Sequence, residues 1–156
     1  MNVGASSVTD YGNYYQYGKG ANQYAATSGD SNYSGTEDPL DSSVDTAAQV
    51  WGGSWHMPTQ AQLNELTANT TYEWTTINGV NGGKFTAQNG NYVFFAAAGY
   101  WGGGSRNNVG SSGSYWGSTP LDSYGAYGLF FDDVGKDVSG DDRENGFSVR
   151  PVLDSN

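Results

Sequence analysis

The sequence carries a single histidine, His56, and no cysteine among its 156 residues. Imidazole chemistry must therefore run through one side chain, and thiolate nucleophiles, thiolate metal sites and disulfides are excluded. His56 stands between Trp55 and Met57, just ahead of a helix start, with no partner at metal-ligand spacing. A packed structural role fits that setting better than catalysis or coordination. A serine nucleophile would have to use His56 as its base, and no G-x-S-x-G elbow stands in a strand-to-helix context. Gly102-Gly103-Gly104 lacks the Lys-Ser/Thr of a phosphate loop. Acids do cluster, at Asp132-Asp133 and from Asp137 to Glu144. Calcium takes about six to eight oxygen ligands, and this stretch does not follow EF-hand spacing. A solvated acidic loop is the expected reading, with calcium as the alternative and no other cofactor. Two carboxylates flanking a cleft would suit a glycosidase, but nothing else in the chain favours one. No catalytic residues are expected, and the chain does not read as an enzyme.

Composition limits the partners. Formal net charge is −10, from 16 acidic and 6 basic residues. Such a surface repels phosphate backbones and anionic membranes, so no nucleic acid is expected as a partner. A stacking platform built from Tyr11, Tyr14, Tyr15 and Tyr17 would need interleaved bases, which are absent. These rings are expected to pack on the body. No run of eighteen apolar residues occurs, so membrane insertion is not expected. Aromatic residues make up 15% of the chain, which argues for a folded, ring-built core in a chain otherwise rich in Gly, Ser and Asn. Residues 1–156 fit one domain.

Helical spacing predicts two helices. The first covers about 43–50, capped by Asp41 or Ser42, and the second about 60–68. Thr59 and Gln62 form a capping box there, behind Pro58, with Leu63 and Leu66 as the apolar stripe. Asn78-Gly79 and Asn89-Gly90 stand between strand-like runs and signal hairpin turns. Residues 19–38, 99–113 and the Gly/Asp-rich stretch after Val134 are expected to be loops. In the C-terminal third, the runs around Tyr115-Trp116, 126–134 and 145–152 alternate large and small residues at the strand period. Trp116, Tyr127, Leu129, Phe131, Phe147 and Val149 are expected to fill one face, with their neighbours outward. Trp55, Leu63, Leu66, Trp74, Trp116, Leu129, Phe131 and Val149 are the predicted core.

Four motifs, WGGSWHMPTQAQLNEL (51–66), FFAAAGYWGG (94–103), GSYWGSTP (113–120) and NGFSVRPV (145–152), occur in an order and spacing that resembles FISUMP-type domains. The opening NVGASSVTDYGNYYQYG is similar to their N-terminal motif. The resemblance covers nearly the whole chain. It implies a C-type lectin-like fold of the formylglycine-generating-enzyme branch: α+β, two helices, small antiparallel sheets and many loops. The catalytic cysteines of those enzymes have no counterpart here, so their activity is not implied.

The same branch supplies the variable proteins of diversity-generating retroelements, in which a C-terminal region is randomised at adenines to display a binding surface. That region would run from about Gly99 to Val152. Tyr115-Trp116-Gly117-Ser118-Thr119 stands where members often read Tyr-Trp-Ser-Ser-Thr. Gly128, Phe130, Asp132, Leu121 and Asp122 are residue types reachable from an Asn codon by adenine changes, whereas Trp101, Lys136 and Glu144 are not. The resemblance thus implies a ligand-binding receptor or adhesin domain on a virion or cell surface, recognising a protein or glycan. A fixed-sequence FISUMP structural or surface module is the alternative. The expected surface is Trp101, Arg106, Tyr115, Gly117, Leu121, Asp122, Tyr124, Gly128, Phe130, Asp132, Asp141 and Glu144, with ring anchors at Trp101 and Phe130.

Overall fold

Helix formation follows the caps. The computed structural model describes residues 1–154 apart from Thr27 and Asp30. Helix α1 (Thr46–Trp51) is shorter than expected because its N-cap is Asp45, whose carboxylate accepts from Ala48 N at 3.0 Å. The same carboxylate accepts from Met57 N at 2.9 Å and ties the following link to the helix start. Asp41 instead holds a turn, accepting from Ser43 N. Helix α2 (Gln60–Asn69) carries the predicted capping box: Thr59 Oγ1 accepts from Gln62 N, and Gln62 Oε1 accepts from Thr59 N. Leu63 is buried on its inner side and Leu66 half-buried.

Three strands, β1 (Thr70–Ile77), β2 (Val80–Ala87) and β3 (Tyr92–Ala96), form an antiparallel sheet. Its first turn is Asn78-Gly79, with φ of 51° and 77°, the left-handed pair that a two-residue hairpin requires. A small hairpin, β4 (Tyr100–Gly102) and β5 (Ser105–Asn107), then interrupts the stretch expected to be one long loop. Gly103 and Gly104 form its turn at positive φ, which is why a Gly run can close a hairpin as well as a loop.

The third sheet has the order β6-β7-β8, from β6 (Ser112–Pro120), β7 (Gly125–Asp132) and β8 (Lys136–Asp142). Strand β8 falls where an acidic loop was expected. It is a polar edge strand with only Val138 to mark a period, and its pairing with β7 supplies the order that its own residues do not. Conversely, the NGFSVRPV run is extended but forms only isolated bridges, with Phe147 against Tyr15, Ser148 against Tyr115, Gly146 against Trp101 and Val152 against His56. The molecule is an α+β arrangement of two helices and small antiparallel sheets joined by long irregular segments.

The pair β6–β7 is buried on both faces. Its register sets Tyr115 opposite Leu129, Trp116 opposite Gly128 and Ser114 opposite Phe130. On one side Trp116 meets Tyr17 and Phe147 at ring-centroid distances of 5.7 and 4.1 Å, and Phe130 packs on Phe147 at 5.5 Å. Val3, Tyr15, Leu40 and Met57 complete that cluster, so the N-terminal segment is what covers this face. On the other side Tyr115, Leu129 and Phe131 pack with Leu63, Phe85 and Phe95, from α2 and the first sheet. Trp116 and Leu129 therefore lie on opposite faces, not on one.

This overturns four of the expected display positions. Tyr115, Gly117 and Gly128 are buried, and Phe130 is half-buried against the first cluster. Their smallness or apolarity is a packing requirement. A methyl added at Gly128 would lie 2.7 Å from Tyr115 O, and one at Gly117 3.0 Å from both Pro58 O and Tyr127 O. Alternation at period two separates two faces, but it does not say that either is wet. Of the predicted core, Leu63, Trp116, Leu129, Phe131 and Val149 are buried, while Trp55, Leu66 and Trp74 are half-buried. Tyr14, Tyr15 and Tyr17 pack inward as expected.

Candidate functional site

Exposed residues of the C-terminal third form one group at the end of the sheet where β6 passes to β7 and another, Asp132 to Asp137, around the β7–β8 turn. Asp122 builds the connection: its carboxylate accepts from Tyr124 N at 2.8 Å and Gly125 N at 2.7 Å. Those two bonds hold its pKa below the ordinary carboxylate value. Leu121 N donates to Gly125 O at 3.0 Å and closes the turn. The turn presents Tyr124 at 81% exposure and Leu121 at 51%. Large apolar groups are here held in water by a locally bonded backbone.

Beneath the turn lies Arg143, only 2% exposed. Its Nε donates to Gly125 O at 3.1 Å, and Nη1 donates to Tyr33 O at 3.0 Å and Gly35 O at 2.8 Å. Nη2 donates to Asp122 O. The guanidinium also sits over the Tyr17 ring at 4.8 Å and the Tyr33 ring at 5.4 Å. A buried cation is costly unless its donors are satisfied, and backbone carbonyls with two ring faces satisfy this one. One side chain thus joins the 31–35 segment, the 121–125 turn and the end of β8. The surface above it is a depression of about 400 Å³ lined by Asn32, Tyr33, Ser123, Tyr124, Asp142 and Glu144.

A second group adjoins it. Trp101 exchanges backbone hydrogen bonds with Gly146 at 2.8 Å each way and stacks on Tyr24 with centroids 5.5 Å apart. Arg106 pairs with Trp101 across the β4–β5 hairpin. Asn145 links the two groups. Its Nδ2 reaches Asp141 Oδ1 at 3.3 Å, and its Oδ1 lies 3.2 Å from where a methyl on Gly102 would stand. Asp141 in turn lies beside Gly125 and Leu121. Leu121, Asp122, Tyr124, Asp141 and Glu144 thus stand around the 121–125 turn, while Trp101 and Arg106 belong to the β4–β5 hairpin that Asn145 joins to Asp141, with Trp101 half-buried as a stacked wall and not a free anchor.

Asp132 is exposed but belongs elsewhere. It ends β7, seven strand steps from Gly125, which is about 23 Å at the usual rise. Its carboxylate accepts from Val134 N and Gly135 N, and its carbonyl accepts from the Tyr72 hydroxyl, so it closes the β7–β8 turn. Tyr24, Tyr33 and Arg143 also belong to the site and are not among the residues expected from the sequence. The signals present were rings inside a polar segment and a lone base inside an acidic run. Of that segment, Thr27 and Asp30 lie outside the described residues.

His56 is engaged on both ring nitrogens, Nδ1 with Met57 O at 2.7 Å and Nε2 with the Asp154 carboxylate at 2.9 Å. Burial alone would lower its pKa, but the Met57 carbonyl and Asp154 outweigh it and raise the value. The acids of β8, Asp137, Asp141 and Asp142, are spread along an edge strand, and among the described residues no group of three or more His, Asp or Glu converges as metal ligands would. No helix among the described residues is long and apolar enough to cross a membrane.

The family model of a domain of unknown function, DUF8237, matches residues 71–152, more than half of the chain. The chain belongs to that family. The DUF8237 match spans the region from β1 to the bridge at Val152, including Arg143 and the 121–125 turn. It leaves out the N-terminal segment that supplies Tyr17, Tyr24 and Tyr33 to the site. No curated protein and no solved structure matches the chain.

Arg143→Met, which keeps the stem and removes every donor, should destabilise the protein by about 2–4 kcal/mol, read from urea unfolding midpoints. It should also open the 31–35 and 121–125 segments to limited proteolysis. A variant as resistant as the parent in both segments would mean that Arg143 does not hold them.

Proposed function

We propose that this DUF8237 member is a ligand-binding domain of a receptor or adhesin, acting at a virion or cell surface through the face around Tyr124. One observation carries the reading: Tyr124 and Leu121 stand exposed on a turn made rigid by Asp122 and Arg143, beside a depression edged by acids. Rings held rigidly in water lose little entropy on binding and supply most of the energy of an interface. The neighbouring Glu144, Asp142 and Asp141 favour basic or hydrogen-bonding partners, in keeping with a protein or glycan ligand. No catalytic role and no resident cofactor is part of this reading.

The scaffold is read as C-type lectin-like, of the formylglycine-generating-enzyme branch. In support, Val3 N donates to Val149 O at 2.9 Å, so the two ends of the domain run side by side, and two helices flank small antiparallel sheets. The FISUMP motifs of the sequence fall on these parts.

Diversification of the 99–152 region by a retroelement is retained in a narrower form. It would act on Arg106, Leu121, Tyr124 and Asp141, because Gly117, Gly128 and Phe130 cannot vary without disturbing packing and the Asp122 carboxylate builds the turn. That restriction also favours the second reading, a fixed-sequence surface module whose Tyr124 face packs on another domain. A near-identical repeat of the region beside a reverse-transcriptase gene, differing only at adenines, separates the two.

The binding claim is tested by labelling the protein and a Leu121→Ser, Tyr124→Ser double variant and applying both to a glycan array and to intact cells. The parent should bind and the double variant should lose at least tenfold in retained signal. Its unfolding free energy should stay within about 1 kcal/mol of the parent, since exposed substitutions rarely cost more. Equal binding by the two proteins would remove this face from the proposal.

A further inference from the structure

On the far side of the second cluster, a groove of about 550 Å³ runs between α2, β3 and the C-terminal segment. Its walls are apolar: Trp55, Leu63, Leu66, Val93, Phe95 and Val152. Val93 and Leu153, at 36% and 50% exposure, extend the apolar strip to the surface. Volume and lining fall within the range of small-molecule sites, which pair an apolar trough with a few convergent polar groups. The polar groups of this lining are Gln62, Glu65, Asn69, Thr70 and one cation, Arg150.

Arg150 is unusual for this chain. Its guanidinium lies over the Phe95 ring at 5.1 Å, and Nη1 donates to Phe94 O at 2.8 Å. The remaining donors of its fork have no acceptor among the described residues, and no carboxylate there forms an ion pair with it. Burial lowers its pKa from the ordinary guanidinium value, with only the Tyr115 phenol opposing. Arg143, by contrast, spends its donors on carbonyls. In a chain of 16 acids and 6 bases, a cation that forms no ion pair among the described residues suits an anion from outside. Glu65, exposed on α2, also lines the groove, and its charge disfavours an acid head there and leaves Arg150 as the place for one.

We propose that this groove is a second binding site, taking an amphipathic carboxylate whose apolar chain lies along Leu66, Val93 and Phe95 and whose head pairs with the Arg150 fork. Carboxylate geometry matches two parallel N–H donors, which a hydroxyl or an ammonium head cannot use. The site is separate from the Tyr124 face, and it stands whether or not that face binds a ligand.

Decanoate is the probe, with decan-1-ol as its uncharged counterpart, and intrinsic tryptophan fluorescence or calorimetry as the readout on the full chain. Decanoate should bind saturably at one site below about 1 mM, and decanol at least tenfold more weakly. Val93→Asp, at a half-open position, should abolish decanoate binding. Arg150→Met keeps the stem on Phe95 and should erase the preference for the acid. Should Arg150→Met fail to fold, the acid-to-alcohol ratio on the parent and the Val93→Asp result decide the matter alone. Tyr124→Ser should change neither affinity. Absence of saturable decanoate binding, equal affinity for decanol, or unchanged binding by Val93→Asp would each overturn the proposal. So would a concentration-dependent dimer lost in Val93→Asp, which would assign the groove to a second copy of the chain.

Discussion

Everything in this molecule depends on a two-stranded ribbon that has no wet face. Tyr115 and Trp116 are adjacent in sequence and 1% and 0% exposed, and they point into different clusters. A β-ribbon buried on both sides needs two covers, and each comes from a different part of the chain. Helix α2 and the β1–β3 sheet cover one side; the tyrosine-rich N-terminal segment covers the other. The hydroxyls and indole then find backbone acceptors across these joints, Tyr115 to Ala96 O and Trp116 to Tyr15 O, both at 2.8 Å. Buried rings with polar tips thus set where each cover sits, as well as supplying apolar area.

With both faces of the ribbon occupied, a variable or binding surface can only be carried by its ends and by the segments wrapped around it. Arg143 is the fastener at the end that matters. It converts irregular backbone from three parts of the sequence into one rigid rim by donating to carbonyls that no strand pairs. Loops of this kind are usually exposed and mobile because their backbone groups need water. Here the guanidinium takes the place of that water, so Tyr124 and Leu121 rest on an ordered base. The proposed binding face owes its shape to a residue that never reaches the surface.

Local signals were readable where chemistry within a few residues determines geometry. The Thr59/Gln62 capping box and the Asn78-Gly79 and Asn89-Gly90 turns are of this kind, and each stands where the residues indicate. Signals failed where the determinant is remote. Strand β8 has no apolar period of its own and exists through β7. The wetness of the Gly128–Phe130 face was set by Tyr17 and Phe147, far away in the chain. Arg143 looked like one more charge in an acidic run, because the carbonyls it serves are backbone groups with no mark in the sequence. The site was therefore half legible: its loop residues could be named, and its strand residues were assigned to the wrong side of the boundary between core and surface.

A saturation scan read out by folded yield tests that boundary most directly. Tyr115, Trp116, Gly117, Gly128 and Phe130 should reject nearly all replacements, while Arg106, Leu121 and Tyr124 should accept most of them. Gly128 and Phe130 tolerating polar and charged residues as freely as Tyr124 does would contradict it, since one face of the ribbon would then be open to solvent.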